Sequence, residues 1–299
     1  MIGRSFAPLA TWGVSLALLL TGVSGLAQAT QVPTDRAELE AWRVGEFQTD
    51  DPNASLMLLA RLMQDVDPFL RDEIGFTGLS AILRRGDGDR ATARQLIDLF
   101  TARLQEPDPA GVRRSFAILG LSELARVDRL HQFLSDEEFS GLVSTASQSL
   151  REVRDYRGYD PDVGWRHAIA HSSDFALQLV LNDRTDADQH AVLRAAVAAQ
   201  VAPAAPYVHG ESQRLARPIL YMALHERASA STWQRWFEEL AQANADVFDG
   251  ATTTLERLAA RHNLRRFLLE VYGTAQSSDR EALQPLADEA LALLRRLGG

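Results

Sequence analysis

The chain of 299 residues sets 40 acidic side chains against 31 basic ones, for a net charge of −9, and contains no cysteine. The negative balance excludes a typical nucleic-acid binder, which needs a positive footprint to replace counterions. Without cysteine there are no disulfides, so stability must come from an apolar core, for which 46% hydrophobic residues provide the material.

Residues 1–29 begin with one basic residue, Arg4. They continue through an apolar run that is densest from Val14 to Leu20 and end in Ala27-Gln28-Ala29. A positive start, an apolar middle and a small-x-small end form the pattern of a secretory signal peptide cut after Ala29. Glycine, serine and threonine keep the run shorter than the ~20 residues of a spanning helix. The expectation is therefore an exported protein, periplasmic or secreted, with no stable membrane insertion after cleavage. Residues 30–299 are expected to form a single all-helical domain. Losing Arg4 leaves 30 basic residues against 40 acidic ones, a charge near −10. Every basic residue is arginine.

From Pro33 onward, helical periods follow one another with short breaks and no alternating strand. Asp51-Pro52 reads as an N-cap with proline at the first helical position, opening a helix to about Gln64. Pro68 to Arg84 follows, ended by Gly86-Asp87-Gly88, and then Arg90 to Leu104, stopped by Glu106-Pro107-Asp108-Pro109. Val112 to Val127 is apolar on one face. Ser135 with Glu138 is a capping box for a helix to about Arg151. After a central loop and helix come Asp186 to Ala202, Glu211 to Arg227, Ser231 to Ala245 and Thr252 to Tyr272, the last with a break near His262. A final helix opens on the box Ser278 with Glu281. Trp233, Trp236 and Phe237 have the spacing of a buried face.

Gly78-Leu79-Ser80-Ala81-Ile82-Leu83-Arg84 matches Gly120-Leu121-Ser122-Glu123-Leu124-Ala125-Arg126 at a spacing of 42. Helix pairs at periods of roughly 40 to 47 residues are those of HEAT-like repeats. The expected fold is thus an all-α helical repeat, an α-solenoid or α/α superhelix of about a dozen helices. In such stacking the second helix of each pair lines one concave face. Glu73, Arg113, Arg114, His167, His171, Glu211 and Arg214 would then converge on one groove.

The chain concentrates its unusual residues in Tyr156 to Gln178, YRGYDPDVGWRHAIAHSSDFALQ. Gly158, Pro161 and Gly164 forbid a continuous helix, and Asp160 or Asp162 suits a turn through side-chain bonds to the backbone. In the following helix His167, His171, Asp174 and Gln178 fall within a sector of about 60°, at roughly 100° per residue. An exposed polar stripe is expected there, with Ala168, Ile169, Phe175, Leu179 and Val180 packing on the other side.

Together, RDEIGFTGLSAILR, RRSFAILGL, LREVRDYRGYDPDVGWRHAIAHSSDF, GESQRLARPIL and RHNLRRFLLEVY resemble the bacterial family catalogued as domain of unknown function 2785. The likeness runs from about residue 50 to residue 273. It implies an all-helical domain in which Trp165, His167, Ala168, His171 and Asp174 match the pattern W-x-H-A-x-x-H-x-x-D, and it implies no activity.

Two function classes stay open. The first is a binding or interaction module, with a peptide, protein or saccharide in a polar groove formed by Glu73, Arg113, Arg114, Tyr159, Trp165, His167, His171, Asp174, Glu211 and Arg214. The second is a divalent-metal-dependent hydrolase, in which His167, His171 and Asp174 hold zinc and activate a water. It lacks the H-E-x-x-H pattern, so Glu73 or Glu211 would have to supply the base. The bland alternative has the two imidazoles hydrogen-bonded to fix the loop. Gly210-Glu211-Ser212 is not an esterase elbow. Asp183, Asp186 and Asp188 lack the glycine and final glutamate of a calcium loop. Arg113, Arg114, Arg214 and Arg217 could clamp a carboxylate or phosphate by forked hydrogen bonds. The leader pattern makes a direct prediction: N-terminal sequencing of exported protein should read Thr30 first, and material that begins at Met1 would remove the basis for export.

Overall fold

The computed structural model of the protein describes residues 35–225, 227–248 and 254–298. The expected leader and its cleavage site lie outside them. The described residues are all-α. The helices are α1 Arg36–Val44, α2 Pro52–Leu62, a π-helical turn Phe69–Phe76 running into α3 Thr77–Arg85, α4 Arg90–Arg103, α5 Arg113–Leu130, α6 Asp136–Arg151, α7 Ala168–Val180, α8 Ala187–Ala198, α9 Glu211–Leu224, α10 Ala230–Ala243, α11 Ala245–Phe248, α12 Leu255–Gln276 and α13 Gln284–Gly298. A 3₁₀ turn, Glu281–Leu283, precedes α13, and the two-residue strands β1 Tyr159–Asp160 and β2 Gly164–Trp165 form the described sheet. Among these residues no helix is long and apolar enough to cross a membrane.

The caps explain most of the starts. The Asp51 carboxylate accepts from the Ala54 N–H at 3.0 Å, with Pro52 behind it. The boxes Ser135/Glu138 and Asp186/Gln189 are both reciprocal, and so Asp186 caps a helix. The sequence reading fails at four places. Helix α1 was not anticipated. The stretch 68–85 is not one regular helix but opens with the π turn, whose Asp72 carbonyl accepts from the hydroxyl of Thr77, the first residue of α3, at 2.8 Å. No box forms at Ser278, because α13 starts only at Gln284. Helix α12 runs through His262 without a break.

Packing links alternate helices. Helix α3 meets α5, α5 lies along α7, α7 along α9, and α9 along α12, which pairs with α13. Helices α2, α4, α6 and α8 lie beside this row, α4 against α5 and α6 against both α7 and α8. One continuous apolar cluster fills the space between, and Trp233, Trp236 and Phe237 belong to it as expected.

The two matching segments occupy corresponding places. Gly78 of α3 faces Leu59 of α2 and Phe47 so closely that a Cβ would lie 2.7 Å from each. Gly120 of α5 faces the Phe100 ring of α4, where a Cβ would overlap the ring carbons. In each case a glycine on the second helix admits a large side chain from the preceding helix or turn. Gly141 of α6, by contrast, has open space where a Cβ would go. Alanine should therefore stabilise the protein at Gly141 by about 0.5–1 kcal/mol through helix propensity. The same change at Gly120 should destabilise it by roughly 1–3 kcal/mol through overpacking. Equal thermal-melt shifts for Gly120→Ala and Gly141→Ala would contradict the close approach at Gly120.

Candidate functional site

The candidate site is built on a hairpin and the start of α7. Tyr159 pairs with Trp165 and Asp160 with Gly164 in antiparallel register. The turn between them closes on Asp160, whose carboxylate accepts from the Asp162 and Val163 N–H groups at 2.9 and 3.1 Å. Two buried arginines hold the hairpin from below. Arg71, in the π turn, is 0% exposed. It donates to the Val163 carbonyl at 2.8 Å and to the Val66 carbonyl at 3.2 Å, and forks onto Asp72 at 2.8 and 3.1 Å. Its guanidinium lies 4.6 Å from the centre of the Phe116 ring. Arg166 donates to the Ala110 carbonyl at 2.7 Å and approaches Asp160 at 3.6 Å. At Gly158, a Cβ would occupy the space of the His209 ring, so this close approach requires glycine.

On this base stand aromatic rings. Tyr159 is 55% exposed and Trp165 39% exposed. The Trp165 indole stacks on the His167 imidazole with ring centres 4.2 Å apart and planes 5° from parallel. Tyr159 and His209 meet the indole edge-on at 5.1 and 5.2 Å. His167 itself has φ 53° and ψ 32°, a left-handed conformation uncommon for a side chain of this size, and such strain clusters at functional positions. Its Nδ1 is buried and unpartnered.

The expected exposed stripe on α7 is not exposed. His167 precedes the helix rather than belonging to it, and His171 is buried, because α5 and α9 cover α7 on two sides. His171 Nδ1 lies 2.8 Å from Ser115 Oγ and 3.0 Å from the Ser115 carbonyl. The Ser115 hydroxyl donates to the Arg166 carbonyl. Its one proton is thus committed, and His171 Nδ1 carries the hydrogen that points at Ser115. Asp174 is forked by Arg214 of α9, with Arg217 at 4.0 Å. Gln178 accepts from Arg129 at 3.3 Å.

Burial sets the electrostatics. It pushes His171 down to about 3, helped by His167, Arg214 and Arg71 and opposed by the Ser115 carbonyl. It pushes His167 down to about 4, with Arg214 and His209 adding to the effect. Asp174 is raised by burial against the pull of Arg214. Both imidazoles are neutral at pH 7, and bases this weak are mismatched to general-base catalysis there. The trio His167, His171 and Asp174 does not form a metal centre: His171 is turned to Ser115 and the Asp174 carboxylate is engaged by arginine. No group of three His, Cys, Asp or Glu side chains among the described residues is placed to hold an ion.

Of the other anticipated residues, Arg214 joins the site through Asp174. Glu211, the first residue of α9, adjoins it by accepting from the His209 N–H at 2.8 Å. Glu73 does not join; it is 58% exposed and pairs with Arg43 of α1 at 3.6 Å. Arg114 lines a cavity of about 630 Å³ near the 152–157 segment, whose wall also includes Ser115 and Ala168, and Arg113 lines a different recess beside Arg61 and Arg103. The single groove expected for all of them is therefore not formed. The sequence reading missed Arg71, Ser115, Phe116, Arg166 and His209. Only Arg166, between Trp165 and His167 in the most distinctive stretch, carried a local signal.

The depressed imidazoles give a pH prediction with a definite sign. Below about 6.5 the unfolded chain binds protons that folded His171 refuses until about pH 3, so stability falls as pH drops through that window. His171→Asn keeps a donor toward Ser115 but cannot titrate. Its melting temperature should depend less steeply on pH between about 6.5 and 4 than that of the wild type, and parallel curves would refute the assignment.

Residues 99–272, more than half of the chain, match a family described as "Protein of unknown function (DUF2785)". The match starts later than the likeness read from about residue 50, so the Arg71 segment falls outside it, whereas the hairpin, α7, His209 and Arg214 all lie within. No curated protein and no solved structure matches the chain. On the extent of the family match, the chain belongs to the DUF2785 family.

Proposed function

We propose that the protein is an exported binding module that takes a peptide or saccharide segment on the ledge formed by Tyr159, Trp165, His167 and His209, with Arg214 beside it. The observation that carries this reading is the bracing of an exposed aromatic pair by two buried arginines. Exposed tyrosine and tryptophan add nothing to a core, whereas rigid rings with a polar edge are the side chains that dominate recognition surfaces. The leader-like residues 1–29 support export. A helical-repeat architecture is part of the same proposal. Its support is the equivalent placing of Gly78 and Gly120, each under a large side chain from the preceding helix or turn. A metal-dependent hydrolase is the weaker reading, since His171 and Asp174 are already committed to Ser115 and Arg214.

Peptide and glycan arrays followed by titration of the hits test the ledge. Trp165→Ala should weaken a true ligand by about 2 kcal/mol, roughly 30-fold, while leaving the melting temperature within a few degrees of wild type. Hits that bind Trp165→Ala as well as wild type would place recognition elsewhere.

A further inference from the structure

Between the last turns of α2 and α4 and the first residue of α5 lies a recess of about 370 Å³ lined by Arg61, Gln64, Asp65, Val66, Arg103 and Arg113. In a chain whose acidic residues outnumber its basic ones, three guanidiniums against Asp65 and the adjoining Glu106 leave the local charge positive. Little of that charge is used by the protein. The Arg61 and Arg113 side chains make no hydrogen bond or ion pair among the described residues. Arg103 gives Nη1 to Glu106 at 2.6 and 2.7 Å, and its Nε is buried without a partner. Asp65 is held by the Asp67 N–H at 2.9 Å.

Gln64 supplies the second observation. Both its Nε2 and its Oε1 are buried, and neither has a partner. Helix C-termini favour cations, which accounts for arginines at positions 61 and 103. That effect does not account for an amide, because a leucine would fill the same space without two orphaned polar atoms. On two residues that line the recess, the amide and the Arg103 Nε leave two buried donors and one buried acceptor unmet.

We propose that this recess is a binding site for phosphate, either the free ion or the phosphoryl group of a small metabolite. Guanidinium forks match the oxygen geometry of phosphate. A tetrahedral oxyanion offers enough oxygens for donors that arrive from three helix ends, whereas one fork saturates a carboxylate. The Gln64 Nε2 and Arg103 Nε donate to the anion, and Gln64 Oε1 accepts from the hydroxyl of the hydrogen phosphate form. None of the residues of the Trp165 ledge takes part, so the two sites stand or fall separately.

Isothermal titration of the full mature chain at constant ionic strength, with inorganic phosphate and with phenyl phosphate, tests the proposal. Saturable one-to-one binding is expected, weakened about tenfold or more in Arg113→Ala and in Gln64→Leu. Gln64→Leu changes no charge and removes two unpaired atoms. Its melting temperature without phosphate should equal or exceed that of wild type, which separates lost binding from lost folding. Binding of inorganic phosphate alone identifies the free ion as the ligand; binding of both identifies a phosphoryl group. The proposal is overturned if neither produces saturable heat, or if both variants bind like the wild type.

Discussion

The site depends on one buried cation. Arg71 has no exposed surface, yet it reaches the carbonyls of Val66 and Val163, the Asp72 carboxylate and the face of Phe116. A charge withdrawn from water is tolerated only when its donors are met. That demand is what fixes the geometry: the loop after α2, the π turn and the hairpin must all present oxygens to the same guanidinium. The hairpin is consequently located by residues more than 90 positions earlier in the chain, and the π turn, with its widened helical register, is where Arg71 is seated.

The same logic recurs around the other loops, with amides in two cases and a buried carboxylate in a third. Gln200 donates to the Leu150, Arg151 and Val153 carbonyls and accepts from the Tyr156 hydroxyl. Asn263 donates to the Pro203 and Ala205 carbonyls and accepts from the Tyr207 N–H. Asp128 accepts from the N–H groups of Phe133 and Leu134 and from Arg184. Irregular backbone needs such partners once it is covered, because an unpaired buried carbonyl or N–H costs about 1–3 kcal/mol. Helices thus build the scaffold, and a few interior polar side chains tell the connections where to lie.

This division governs what could be read from the sequence. Helices with local punctuation, such as Asp51-Pro52 and Ser135-x-x-Glu138, are legible because the cap and the apolar period lie within one short window. The break expected near His262 does not occur, and its neighbour Asn263 is buried rather than turned to solvent. It faces the 203–207 loop, and α12 continues past it. The polar stripe of α7 failed for the same reason. Spacing places His171 and Asp174 on one face but cannot say what covers that face, and their partners Ser115 and Arg214 come from α5 and α9. The family pattern marked the segment of the hairpin and α7 without disclosing that His171 is buried or that Glu73 lies apart from it.

The braced hairpin also has a kinetic meaning. A surface that must first order itself loses part of its binding free energy to entropy, and its association slows by the fraction of time it spends in the wrong shape. With Val163 and Gly158 pinned by Arg71 and Arg166 and the Trp165 indole already stacked on His167, neither charge falls on encounter. Partners of such a ledge would arrive at similar rates whatever their fit, and discrimination between them would be written almost entirely in residence time.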